Sequence, residues 1–232
     1  MKLSSRCVLD EVMDTPSISF EDYTRCLHDL AAVNRLTLTH RPTIRWLDRV
    51  TKDLPKGSSI AVLDVACGGG DLLRDIAAWG KRRGLNISLE GIDLNPRAIS
   101  VASEHTPAGV LINYRNCDVF TYQPQPRPDI IVSSQFAHHL ADGELVKFIK
   151  WLDAKALRGW FIADLHRHTI PYYGFRLLAL IARWHPIVRR DGTASIARSF
   201  CRTDWQNVLA AAGSPGEITW HPAFRYCVTR LL

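Results

Sequence analysis

The chain has 232 residues, 47% hydrophobic and 22% charged, with 29 Lys and Arg against 23 Asp and Glu for a net charge of +6. This is the balance of an ordinary globular domain, large enough to bury a core without disulfides. The basic surplus is too small to imply a nucleic-acid or membrane partner by itself. The opening MKLSSRCVLDEV carries acidic residues where a signal peptide needs an apolar stretch. The longest apolar run, residues 177–182, is far short of the ~20 residues of a spanning helix. Six cysteines, at 7, 26, 67, 117, 201 and 227, form no CxxC pair, so reduced thiols in a cytoplasmic protein are expected.

Phe20, Tyr23, Leu27, Leu30, Ala31 and Val33 recur at three- and four-residue intervals and predict a helix with one buried face. Pro42 opens a second helix, with Ile44, Trp46, Leu47 and Val50 as its apolar positions, and residues 55–59 (PKGSS) break the pattern. From residue 60 short apolar runs alternate with helical stretches. Strands are predicted at 60–65, 87–93, 111–115, 129–133 and 159–164, with helices at 72–79, 96–104 and 145–154. That alternation predicts βαβ units, a parallel sheet covered on both faces and a doubly wound α/β fold. After an insertion of about forty residues, long enough to expect a function, a helix at 203–212 ends at Gly213 and strands at 217–220 and 224–231 close the chain. We read one domain over 1–232, with a helical cap at 1–54 and a lid-like insertion at 165–200.

The most informative segment is Val62-Leu63-Asp64-Val65-Ala66-Cys67-Gly68-Gly69-Gly70-Asp71, which leaves a predicted strand and opens a helix. Glycines there let a ligand approach the backbone, and the helix start offers free N–H donors. Leu73 stands where a dinucleotide fold wants its third glycine, and no GK[ST] follows, which excludes a phosphate-cradling P-loop. Asp64 precedes the loop, where a carboxylate repels pyrophosphate but suits a ligand carrying positive charge. Asp93 ends the second strand at the spacing for accepting ribose hydroxyls, and Asp118 follows the third, placed to accept from an adenine amino group. Together they predict a pocket for a ribose-bearing, cationic ligand.

Asp64-x-Ala66-x-Gly68-x-Gly70, then Gly91-Ile92-Asp93-Leu94-Asn95-Pro96, then Asn116-Cys117-Asp118-Val119 resemble the successive cofactor motifs of class I S-adenosylmethionine-dependent methyltransferases. Ala66 departs from the usual [DE]xGxGxG by replacing its first glycine. The resemblance implies a Rossmann-like seven-stranded sheet whose last strand is antiparallel, supplied here by the closing hairpin. It implies S-adenosylmethionine as cofactor, with Asp64, Ala66, Cys67, Gly68 and Gly70 under the methionine part. Asp93, Leu94 and Asn95 would then lie at the ribose, and Cys117, Asp118 and Val119 at the adenine. Ser134 and Gln135 would pass close to the sulfonium, and Arg41 or Asn34 would reach the cofactor carboxylate.

An oxygen or nitrogen acceptor needs its proton removed, so a base is sought where the fourth and fifth strands end. His138 and His139 follow the fourth strand and His166 the fifth, and imidazole titrates in the useful range. His138 and His139 read equally as loop-packing residues, and His166 as a surface histidine. Two adjacent histidines without a third ligand make no metal site, so no metal is expected. The insertion carries Tyr172, Tyr173, Phe175, Leu177, Leu178 and Leu180 among Arg176, Arg183, Arg189 and Arg190. It reads as a lid over an apolar acceptor, a basic amphipathic helix on a membrane surface, or a helix packed on its own domain.

Met13-Asp14, Ala32-Val33-Asn34-Arg35 and Arg189-Arg190-Asp191-Gly192 resemble bacterial methyltransferases found with polyketide and phenolic-lipid pathways. That resemblance implies a small apolar, aromatic or polyketide-like acceptor methylated on oxygen or carbon; with no metal expected, metal-independent O-methylation is the reading taken. An RNA or protein methyltransferase is the alternative, against which no [ND]PP[YF] follows the fourth strand and no RNA-binding module is present. A catalytically silent cofactor-binding protein is the other.

Overall fold

The computed structural model describes residues 3–7, 10–15 and 17–232. Seven strands form one sheet: β1 (Ser59–Val65), β2 (Asn86–Asp93), β3 (Asn113–Asn116), β4 (Ile130–Ser134), β5 (Gly159–Leu165), β6 (Glu217–His221) and β7 (Arg225–Leu231). Their order is β3-β2-β1-β4-β5-β7-β6. The first five run parallel, and β7 lies antiparallel to both β5 and β6. The order reverses between β1 and β4, and open α/β sheets bind ligands outside the strand ends at such a point. The seven-stranded sheet and its antiparallel last strand are as the motifs implied.

Alternation along the buried strands builds two half-cores. Ile60 and Val62 face Leu72, Leu73 and Ile76 of α3 (Asp71–Arg83) and Trp46 of α2 (Arg41–Val50). On the other face Leu63 and Val65 share a cluster with Phe148 of α5 (Asp142–Lys155) and Trp205 of α8 (Arg202–Ala212). Gly213, at φ 69°, closes α8 as the sequence pattern predicts.

The cap and the insertion meet in a third cluster. Tyr23, Cys26 and Val33 of α1 (Phe20–Leu36) pack with Ala98 of α4 (Pro96–Glu104). Ala179 of α6 (Thr169–Ile181) and Val188 of α7 (Pro186–Arg198) complete that cluster. The insertion is thus a helical pair packed on the cap. Close approach of its two helices needs Gly192, where a Cβ would fall 2.3 Å from the Phe175 ring. Among the described residues no helix is long and apolar enough to cross a membrane.

Candidate active site

The chain leaves β1 through a loop that alternates left-handed residues: φ is 58° at Ala66, 51° at Gly68 and 73° at Gly70. Gly70 is further constrained, because a Cβ there would lie 2.3 Å from the Tyr114 hydroxyl oxygen. Asp93, at the end of β2, holds the loop from below: its Oδ2 accepts the Gly68 N–H at 2.9 Å and its Oδ1 the Asn95 N–H at 2.8 Å. Asn95 caps α4 by accepting the Arg97 N–H at 3.0 Å.

Two cavities adjoin this loop. The first, about 380 Å³, is bordered by Asp64, Ala66, Cys67, Gly68, Ser134 and Gln135 together with His138 and His139. The second, about 990 Å³, is bordered by Asp93, Leu94, Asn95, Cys117, Asp118 and Val119. Ala66, Gln135 and His139 border both. Asp118 Oδ1 also accepts the Phe120 N–H at 2.9 Å, which shapes the loop after β3. The fold therefore gathers the glycine loop and the strand-end acids, separated widely in sequence, around one connected space.

Asp64 is 2% exposed, and its Oδ1 has no hydrogen-bond partner among the described residues. Burial, then the charges of Asp71 and Asp93, raise its carboxyl well above the usual range. A buried acceptor left unpaired costs free energy that a cationic ligand recovers. Ser134 Oγ beside it is likewise buried without a partner.

The opposite wall was only half visible in the sequence. His138 and His139 form a single turn after β4, clamped from outside. Arg6 Nη2 donates to the His138 and Leu140 carbonyls at 3.2 and 2.9 Å. Arg198 donates to the His138 and His139 carbonyls at 3.3 and 3.2 Å. His138 is 3% exposed and its Nδ1 lies 2.8 Å from Asp164 Oδ1. Glu11 reaches the same turn from the N-terminal segment, its Oε1 3.5 Å from His138 Nε2 and 3.9 Å from His139 Nε2. Ser195 Oγ donates to Glu11 Oε1 at 2.7 Å. Burial pushes the Glu11 carboxyl up, but the neighbouring His138, with His139 and Ser195, outweighs it and holds the group at about 2. Burial likewise pushes His138 down, and Asp164 and Glu11 reverse this to about 9.

Three sequence expectations need correction. Arg41 stands exposed on the first turn of α2 and borders neither cavity, whereas Arg35 and Arg74 border the first. Residues 42, 43, 46 and 47 form the buried face of α2, so position 41, one turn from exposed Arg45, points to solvent. His166 lies outside both cavities, under the β6–β7 hairpin: its Nδ1 accepts the Trp220 Nε1–H at 3.3 Å and its ring meets Tyr226. Burial, then His168 and Arg167, lower its pKa. The two adjacent histidines, finally, do have a third potential ligand close by in Glu11. Glu11 carries no motif and no periodicity, so nothing local announces it. Asp164 carried a faint signal, as a carboxylate ending a strand of apolar residues.

Residues 62–154 match the family model of a methyltransferase domain. The ubiquinone biosynthesis O-methyltransferase of Rhizobium etli is 29% identical over 161 residues, which are 66% of this chain and 59% of that protein. The chain thus spans about three fifths of that relative's length. A solved S-adenosylmethionine-dependent methyltransferase from Aquifex aeolicus superposes with TM-score 0.63 at 16% identity, over 93% of this chain and 99% of that one. Magnesium protoporphyrin IX methyltransferase from Synechocystis, solved with bound S-adenosylhomocysteine, gives TM-score 0.56 at 16% identity over 94% and 89%. The part of the sheet that carries the glycine loop thus matches a methyltransferase domain, and the fold around it is the one these solved S-adenosylmethionine-dependent methyltransferases share.

Proposed function

We propose that the protein binds S-adenosylmethionine and methylates a hydroxyl oxygen of a small apolar or aromatic acceptor, phenolic, quinol or polyketide-like. The observation that carries the reading is the unpaired, buried Asp64 Oδ1 beside the glycine loop. A cationic, phosphate-free ligand suits that carboxylate, and a pyrophosphate does not. The oxygen acceptor is supported by the similarity to O-methyltransferases and by titratable groups facing the cavity.

When bound, the cofactor supplies an electrophilic methyl group on a sulfonium sulfur. Asp64 meets positive charge, while Gly68 and Gly70 let the backbone come close. Asp93 and Asn95 would hold the ribose side, and Cys117, Asp118 and Val119 would frame the base. Gln135 and Ser134 would lie near the reacting end. The acceptor's hydroxyl would face the Glu11–His138–His139 cluster, which borders the same cavity and would assist the loss of its proton. Holding acceptor and methyl group together supplies much of the acceleration, because the reaction then becomes effectively unimolecular.

The outer face of α6 is apolar, with Ile170, Tyr173, Leu177, Leu180 and Ile181 all exposed and Arg176 and Arg183 exposed beside them. Such a basic, apolar face suits contact with a lipid surface from which a lipid-like acceptor is drawn.

The test is calorimetric titration with S-adenosylmethionine, with NAD as control, followed by incubation of the complex with phenols, quinols and polyketides under mass spectrometry. Selective binding and a product one methyl group heavier are expected. Absence of heat with S-adenosylmethionine overturns the reading.

A further inference from the structure

We propose that Glu11, His138 and His139 form a binding site for one divalent cation of borderline softness, such as Zn²⁺, at the acceptor end of the first cavity. Their ligand atoms, Glu11 Oε1 and the two Nε2, all lie within 4.8 Å of one another. Tetrahedral bonds of 2.0–2.2 Å set neighbouring ligand atoms about 3.4 Å apart. The Glu11–His138 separation of 3.5 Å already meets this, and the 3.9 Å to His139 needs a shift of a few tenths of an ångström. The His139 side chain is 27% exposed at the end of its turn, which leaves space beside the ring for that shift.

The protonation pattern at His138 is the second, independent observation. Its Nδ1 faces the Asp164 carboxylate at 2.8 Å, and Asp164 Oδ2 also accepts the His138 backbone N–H at 3.0 Å. Asp164 therefore accepts from Nδ1–H and turns Nε2 away from itself. That Nε2 is buried, has no hydrogen-bond partner within normal geometry among the described residues and points at the carboxylate of Glu11. A buried carboxylate facing an imidazole nitrogen needs positive charge between them, carried by a proton or by a cation that His139 also ligates. Carboxylate behind histidine, histidine toward metal is the arrangement in which an outer carboxylate orients a ligand and raises its basicity. Ser195, donating to Glu11 Oε1 at 2.7 Å, orients the third ligand in the same way.

Three protein ligands leave at least one coordination position open, as catalytic rather than structural zinc sites do. All three residues border the cavity of the glycine loop, so the open position takes an oxygen ligand there: water, or the hydroxyl of the acceptor. Cation charge acidifies such an oxygen. The role in methyl transfer rests on the proposed function; the binding of the cation does not.

The test uses the full chain, stripped with a chelator and titrated with Zn²⁺ by calorimetry. Co²⁺ is then used to read the ligand field by visible absorption. One cation per chain is expected, with a tetrahedral Co²⁺ spectrum. Glu11→Gln and His139→Ala, each checked for fold by circular dichroism, are expected to lose stoichiometric binding. Asp164→Asn is expected to weaken it about 10–100-fold. His139→Ala, at a partly exposed side chain, keeps the test decisive if Glu11→Gln fails to fold. Cation binding no tighter in the wild type than in the folded variants overturns the proposal and leaves a proton between Glu11 and His138. Titration with S-adenosylmethionine is run separately: its failure beside intact cation binding sinks the proposed function and spares this site.

Discussion

Gln135 Nε2, at the end of β4, donates to Asn34 Oδ1 on α1 at 2.8 Å, and Asn34 Nδ2 donates onward to Asp71 Oδ2 at 2.9 Å. One amide thus latches the cap helix to the residue after β4 and to the first residue of α3, both of which border the first cavity. Gln135 holds this position with φ at 57°, a conformation uncommon for a residue with a side chain. Asn34→Ala removes both links. At about 0.5–1.5 kcal/mol per hydrogen bond, a loss of about 1–2 kcal/mol is expected, with faster amide exchange across α1 and faster release of S-adenosylmethionine. Unchanged exchange in α1 would show that its hydrophobic contacts alone seat the cap.

Asp64→Asn separates stability from binding. The substitution removes a buried carboxylate crowded by Asp71 and Asp93, so the ligand-free protein is expected to melt at the same or a higher temperature. Affinity for S-adenosylmethionine falls, by about 1.5–3 kcal/mol if one charged contact is lost. Paired melting curves with and without ligand check both signs. A variant that loses stability and keeps affinity contradicts the assignment of Asp64 to a cationic ligand.

The same carboxylate makes binding and stability depend on pH in opposite directions. Its folded pKa is raised, so the native state holds a proton that the unfolded state has released. Its contribution to stability therefore declines as pH rises from the unfolded carboxyl value toward the raised one. A cationic ligand favours the ionised form, so binding below the raised pKa expels a proton and affinity increases with pH until that value is passed. Calorimetry in buffers of different ionisation enthalpy measures the proton count. Equal proton release in wild type and Asp64→Asn would assign the effect to another group.

Ala66 occupies a left-handed position, φ 58°, where the cofactor motif it resembles has glycine. That conformation costs an L-residue about 1–2 kcal/mol, and the added freedom of glycine in the unfolded chain returns about 0.5–1 kcal/mol of this. Ala66→Gly is expected to stabilise by up to about 1 kcal/mol. Gly70→Ala combines φ of 73° with a collision against the Tyr114 hydroxyl, and should both destabilise the protein and weaken cofactor binding. Urea unfolding of the two variants gives the comparison.

The exposed side of α6 predicts association with lipid. Leu177 and Leu180 lie three residues apart on one helix face and are 61% and 59% exposed. Wild-type protein should sediment with anionic phospholipid vesicles, and the double variant Leu177→Glu, Leu180→Glu should not, with its melting temperature preserved. Failure of the wild type to sediment removes lipid contact from the proposed function.

The sequence by itself determined the sheet and the loop. Strand burial repeats every two residues and helix burial every three or four, so Ile60 to Val65 and Leu72 to Trp79 declare themselves locally. The loop between them declares itself because left-handed backbone and close ligand approach demand small residues at fixed spacing. Asp64, Asp93 and Asp118 were legible for a related reason: each stands at or just past the C-terminal end of a strand, and parallel strands bring those ends to one side of the sheet.

Only the tertiary structure decided the acceptor wall. Glu11 meets Ser195 across 184 residues, and Met13 N–H meets Asp191 Oδ2 at 2.9 Å across 178. No periodicity reports contacts between segments that distant. The fate of the histidines followed the same rule. His138 was captured by Asp164 from the neighbouring strand, while the closing hairpin turned His166 toward Trp220 and away from both cavities. Residue type and spacing name the groups that can do chemistry; which of them face each other is set by how the cap, the insertion and the hairpin pack over the strand ends.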